Sequence, residues 1–337
     1  MAERLSLPGF VNAHSHAFQR ALRGRAEGDD FWGWRDVMLE VAAAVTPSGV
    51  RVDYARTFRE MRGAGYTAVG EFHYLGVEEA EAALDAAEEA EMEIVLLHVA
   101  YARGGIERFR QPCVAAYLEE VERLRGRGAR VGVAPHSVRA CPPDWLEEVG
   151  RYADAEGLVV HVHADEQPRE IEECVAEHGV RPIELLARAG CLGPRTTVVH
   201  ATHASEAELE LLADAGARIC VCPTTEANLG DGFPPLAAVL ERGIPLCIGS
   251  DSNVRIDPLE ELRELEGIAR RQELRRNVIP PEELLRIGGE EGARSLGLET
   301  WRAVEADLGH IALAGVAPDE ARAALVFGCA SDVFVAL

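Results

Sequence analysis

The 337-residue chain contains no lysine, so all 34 of its basic residues are arginines. This absence excludes a phosphate-gripping P-loop lysine, a Schiff-base nucleophile and a carbamylated lysine bridging two metal ions. Also missing is any CxxC pair: Cys113, Cys141, Cys174, Cys191, Cys220, Cys222, Cys247 and Cys329 lie scattered. They read as reduced core thiols, not as zinc knuckles or a disulfide framework. No apolar run approaches the length of a membrane span, and Met1 to Phe10 lacks the basic region and apolar stretch of a leader. Cytoplasm is therefore the expected location. Positive charge is scarce: 57 acidic residues give a net charge of -23, which disfavours nucleic acid and anionic membranes as partners. Much of that excess lies in helix-like stretches such as 78–91, where it solvates an outer face.

Hydrophobic residues make up 47% and charged residues 27% of the chain, enough for a full core and too apolar for disorder. Eight short apolar runs recur with amphipathic stretches between them: 10–13, 68–72, 94–99, 131–134, 158–162, 196–199, 218–221 and 244–248. Such runs suit parallel strands buried on both faces. Between them, Tyr54, Phe58 and Met61 share one helical face, as do Ala80, Ala83, Leu84 and Ala87. Alternation repeated in this way predicts an α/β fold, a closed (β/α)8 TIM-like barrel over 8–298. An open doubly wound sheet would need a GxGxxG turn, and none occurs. After Glu299 the stretches 306–313, 321–327 and 332–337 read as possible short strands.

Polar residues with metal-binding chemistry cluster where these strands end, the rim at which barrels place their active sites. His14 and His16 close the first run, and residues two apart on a strand point the same way. The fifth run ends in HVHADEQ, which offers His163 as a ligand, His161 as a packed or supporting residue and Glu166 as a proton carrier. His200 ends the sixth run, and Asp251 follows the eighth. An isolated histidine is more often a satisfied core residue, and an isolated aspartate a helix cap. Their coincidence at four strand ends favours one divalent ion held by His14, His16, His163 and Asp251, with zinc or another first-row metal such as iron suited to the donors. Such an ion lowers the pKa of a bound water towards ~7. Asp251 can also accept that water's proton, and His200 can hold the oxygen in line.

The combination of HxH, HxxE, a later histidine and an SD pair resembles the amidohydrolase superfamily, in its mononuclear deaminase branch. More closely, PGFVNAHSHAFQRALRG, DDFWGWRDVM, GYTAVGEFHY, VAPHSVRA, HVHADEQ, VHATHA, TTEANLGDG and GSDSNV resemble, in order, the formimidoylglutamate deiminases. The resemblance implies metal ligation by His14, His16, His163 and Asp251, and proton handling by Glu166, His200 and Asp251. Substrate contacts would fall on Gln19, Arg35, Tyr74, His136 and Arg139. The implied substrate, N-formimino-L-glutamate, carries two carboxylates, which arginines grip bidentately. Such proteins usually add a sizeable β-rich domain. Here it is reduced to 1–7 and 299–337, a departure that leaves dimer contacts open while still allowing a homodimer. Two other readings stand beside this one: a deaminase of a heterocycle such as guanine or an adenosine-like compound, and a metal-binding protein without turnover. A cytidine-deaminase-like zinc fold would need PCxxC, and none is present.

Overall fold

The computed structural model describes residues 4–335. Eight strands form one parallel sheet in chain order: β2 (Phe10–Ser15), β3 (Tyr66–His73), β4 (Glu93–Ala100), β5 (Val131–Pro135), β6 (Val160–Ala164), β7 (Thr196–His200), β8 (Arg218–Val221) and β9 (Leu246–Ile248). The sheet curls into the expected barrel, and its two ends meet at a single parallel bridge, Ser15 to Asp251. The Asp251 N–H donates to the His14 carbonyl at 3.0 Å, and the His16 N–H donates to the Asp251 carbonyl at 2.8 Å. The barrel is thus closed by the residues that the sequence marks as metal ligands.

Every residue of β2, β3, β5, β6, β7, β8 and β9 is buried, as parallel strands covered by helices should be. Tyr54, Phe58 and Met61 of the Pro47–Gly63 helix pack inward, and so do Ala80, Ala83 and Ala87 of the Val77–Glu89 helix. Two strands begin two residues later than their apolar runs predict. Leu158 and Ile244 follow left-handed glycines, Gly157 and Gly243, and their N–H groups reach back to the Ala153 and Val239 carbonyls. Each is the apolar residue that seals a helix C-terminus, so composition alone misassigns it to the strand.

Outside the barrel, β1 (Arg4–Pro8) pairs antiparallel with β10 (Ala303–Asp307), the only strand pair among the described residues beyond the barrel. The tail corrects three expectations. The stretch 321–327 is not a strand but part of a helix, Ala321–Gly328, with Ala321, Leu325 and Val326 turned to the core at helical spacing. In 306–313 the strand stops at Asp307 and a short 3-10 turn, Ile311–Leu313, follows. Nor is 332–337 a strand: Asp332 and Val333 belong to a 3-10 turn, Ser331–Val333, Phe334 makes a single bridge to Ala306 and packs edge-on against Phe10, and 336–337, like residues 1–3, lie outside the described residues. Seven cysteines are buried, but Cys113, expected in the core, is exposed. Among the described residues, no helix is long and apolar enough to cross a membrane.

Candidate metal centre

His14 lies within β2, His16 just past its end, and His163 within β6, all near the rim. Asp251 follows β9 at φ 44°, a left-handed conformation that a non-glycine residue adopts only when its surroundings hold it there. Those surroundings are explicit. Ser250 donates to Asn253 Oδ1 at 2.6 Å and accepts from Asn12 Nδ2 at 2.6 Å, while Asn253 Nδ2 donates to Ser15 Oγ and to the Asp251 carbonyl. Gly249 permits the close approach of β9 to β2, since a Cβ there would sit 2.7 Å from the His14 carbonyl oxygen.

The His14 Nε2 atom is 3.2 Å from His16 Nε2 and 3.1 Å from His163 Nε2. Asp251 Oδ1 is 3.4 Å from His14 Nε2 and 3.2 Å from His16 Nε2. Ligands on a tetrahedral ion with metal–nitrogen bonds of about 2.0–2.1 Å lie about 3.3 Å apart, so this spacing is that of a coordination shell. Hydrogen bonding agrees. His16 Nδ1 donates to the Phe72 carbonyl at 2.9 Å and His163 Nδ1 to the His136 carbonyl at 3.0 Å, which leaves both Nε2 lone pairs free. Burial pushes the His14 imidazole down to about 3 and His163 well below its ordinary value, and the neighbouring histidines add to both shifts. Burial opposes the Asp251 carboxylate, yet contacts with His14 and His16 hold it well below the usual range. Neutral imidazoles and an ionised carboxylate converging on one point fit a single divalent cation.

Beside this cluster stand Glu166 and His200. Glu166 Oε1 is 3.6 Å from His200 Nε2, and His200 Nε2 is 3.9 Å from Asp251 Oδ2. Burial raises the Glu166 carboxyl, although His200 and Arg139 pull the other way. Burial alone would lower His200, but Glu166, Glu226 and Asp251 together hold it up to about 10. His161, by contrast, bonds the Ser295 carbonyl at 3.0 Å deep in the barrel and serves packing.

A cavity of about 270 Å³ opens above these groups and is lined by His16, Glu166, His200 and Asp251 together with Gln19, Arg35, Tyr74, His136 and Arg139. Gln19 Nε2 donates to the Tyr74 hydroxyl at 2.8 Å. Arg35 reaches the cavity from the Phe31–Ala44 helix, lies near enough to Tyr101 to favour its ionised form, and has no carboxylate partner among the described residues. Arg139 lies 3.6 Å from Glu166 Oε2 and 3.5 Å from the fully buried Glu170, with its Nε unbonded. His136 bonds Ser137 Oγ at 3.1 Å, and burial drives its imidazole well below its ordinary value.

An amidohydrolase family model matches residues 5–301. The chain belongs to the amidohydrolase family. Among its relatives is a formimidoylglutamate deiminase of Pseudomonas aeruginosa, 40% identical over 82% of this chain and 68% of that one. A 5-methylthioadenosine/S-adenosylhomocysteine deaminase of Archaeoglobus fulgidus is 32% identical over 91% of this chain and 73% of that one. A crystal structure of an amidohydrolase from Brucella melitensis superposes with a TM-score of 0.86 at 33% identity, over 98% of this chain and 84% of that one.

The structure of this amidohydrolase also brings forward residues that sequence reasoning left without a role. Glu226, from TTEANLGDG, sits behind His200 with its Oε1 3.2 Å from His200 Nδ1. Asp231, from the same motif, accepts from Gln167 and places a carboxylate oxygen near Glu166 and His200. At the mouth, the Arg169 guanidinium stacks 4.3 Å over the Trp32 ring. For Glu226 and Asp231 the signal was available, because their motif directly follows β8 at the catalytic rim.

Proposed function

We propose that this amidohydrolase uses one divalent metal ion, zinc or iron, to deaminate N-formimino-L-glutamate to N-formyl-L-glutamate and ammonia. The reading rests on one observation: four metal donors, a buried carboxyl beside a cationic histidine, and two arginines all border one small cavity. A hydrolysable centre flanked by two arginines suits a substrate with two carboxylates. The 40% identical formimidoylglutamate deiminase supports the same choice.

The bound ion would supply an acidified water at neutral pH. The water's oxygen bonds to the formimino carbon, the bond to the terminal nitrogen breaks, and that nitrogen leaves as ammonia with both hydrogens of the water. Asp251, placed 3.9 Å from His200 Nε2 through its Oδ2, accepts the water's proton and later returns it to the departing nitrogen. Glu166 gives a proton to the substrate nitrogen and regains one from the hydroxyl added to the carbon, a role suited to a carboxyl that burial keeps weakly acidic. His200, held cationic, stabilises negative charge developing on the attacking oxygen. Arg35 and Arg139 bind the carboxylates, while Gln19, Tyr74 and His136 shape the remainder of the cavity. The reduced thiols suit a cytoplasmic enzyme.

The test is to quantify bound metal and then measure ammonia release from N-formimino-glutamate beside guanine, adenosine and cytosine. The formimino compound should be turned over far faster than any heterocycle. Comparable or faster turnover of adenosine would move the substrate towards the second group of relatives, the 5-methylthioadenosine/S-adenosylhomocysteine deaminases.

A further inference from the structure

His200 ends β7 at φ 75° and is followed by Ala201 at φ 52°, so two consecutive residues adopt left-handed backbone. His200 is the last ladder partner of β7, opposite Ala164, and its left-handed backbone turns the chain off the strand there, so the regular alternation of the sheet no longer dictates where its ring points. The ring is instead caught from behind. Glu226 Oε1 faces His200 Nδ1 at 3.2 Å and also accepts from the Cys222 N–H at 2.9 Å. Both side chains are about 1% exposed, so no solvent competes for the contact. On its other side, His200 Nε2 has no hydrogen-bond partner and lies 3.6 Å from Glu166 and 3.9 Å from Asp251.

We propose that Glu226 is a positioning residue, fixing the proton on His200 Nδ1 and the ring's direction so that Nε2 faces the reacting atoms between Glu166 and Asp251. A carboxylate behind a histidine keeps the Nδ1 proton directed at itself, in the cationic ring as in the neutral one, and removes the ring's freedom to flip. Nothing else in the pocket can do so, because among the described residues only Glu226 hydrogen-bonds Nδ1. The alternative is local: as the fourth residue after Cys222, Glu226 would merely cap the first turn of the Pro223–Leu229 helix by accepting from the Cys222 N–H.

Glu226→Ala and Glu226→Gln separate the two. In zinc-loaded protein carrying ¹⁵N-histidine, with resonances assigned against His200→Asn, the wild type should show a hydrogen-bonded His200 Nδ1–H. Glu226→Ala should lose that resonance, and Glu226→Gln, which still offers an oxygen to both donors, should keep it. The kinetic arm rests on the deaminase reading above. There Glu226→Ala should lower kcat about ten- to hundredfold, with KM and bound zinc unchanged, and Glu226→Gln should recover part of the loss. A Glu226→Ala protein that melts earlier but keeps both kcat and the resonance would reduce Glu226 to a helix cap and overturn the proposal. Should Glu226→Ala fail to fold, a wild-type His200 protonated on Nε2 alone would overturn it equally. If the wild type releases no ammonia from N-formimino-glutamate, the substrate reading fails while the spectra still decide on Glu226.

Discussion

Asp251 is tied to His14 twice, through its backbone N–H to the His14 carbonyl at 3.0 Å and through Oδ1, 3.4 Å from His14 Nε2. One residue thus joins the last strand to the first and completes a set of donors suited to a divalent ion, so an ion bound there would brace the closure of the barrel. Chelation should abolish ammonia release and lower the melting temperature, and both should return on adding zinc. At free zinc one hundred times its dissociation constant the stabilisation is about 2.7 kcal/mol. A melting temperature indifferent to chelation would show that the four donors hold no ion.

The same closure depends on the bare backbone at position 249. Gly249→Ala would set a methyl 2.8 Å from His14 Cβ, with backbone and not a flexible chain tip as its other close neighbour. We expect about 1–3 kcal/mol of destabilisation and a fall in zinc content, measured by urea unfolding and elemental analysis. Full zinc occupancy in a stable Gly249→Ala protein would count against this close packing.

The two ends of the cavity should separate in kinetics. Arg139→Ala should raise KM about ten- to hundredfold, the size of a lost charged hydrogen bond, with a smaller effect on kcat. Glu166→Ala should instead lower kcat about 10²–10⁴-fold. Unchanged substrate affinity in Arg139→Ala would remove this arginine from the binding pocket.

Glu71, whose side chain is not among the metal donors, provides a pH signature of its own. Its Oε1 accepts from the Ala17 N–H at 2.8 Å, its Oε2 is buried without a partner, and burial pushes the carboxyl from 4.5 up to about 8. The unfolded chain would release this proton near 4.5, whereas the folded chain keeps it to about 8. The folded state therefore binds more protons between those values, and this group's contribution to stability falls as pH rises through the window. The slope is at most about 1.4 kcal/mol per pH unit. Glu71→Gln should flatten the decline in urea midpoints across the window. Equal slopes in the two proteins would mean that Glu71 is ionised when folded.

Much of this architecture is legible in the chain because buried parallel strands are short, apolar and regularly spaced. Arg218–Val221 is bounded as its composition predicts, and His14, His16, His163 and Asp251 could be singled out because each stands beside such a run. What escaped has identifiable causes. Leu158 and Ile244 are apolar because they seal helices, which no period-based reading separates from strand. The stretch 321–327 is too short for alternation and helical spacing to be told apart. Glu226 lies far from His200 in sequence and acts only through it, so its part became visible once β7 and β8 were side by side.

β9 has only three residues, and it meets β2 through one bridge. A cylinder sewn so lightly at one place has a seam, and a cation held by His14, His16, His163 and Asp251 would add a stitch to those made by Asn12–Ser250 and Ser15–Asn253. Metal starvation would act on shape as well as chemistry: the wall would part beside the catalytic mouth first, while the long pairings among β2, β3 and β4 stayed shut.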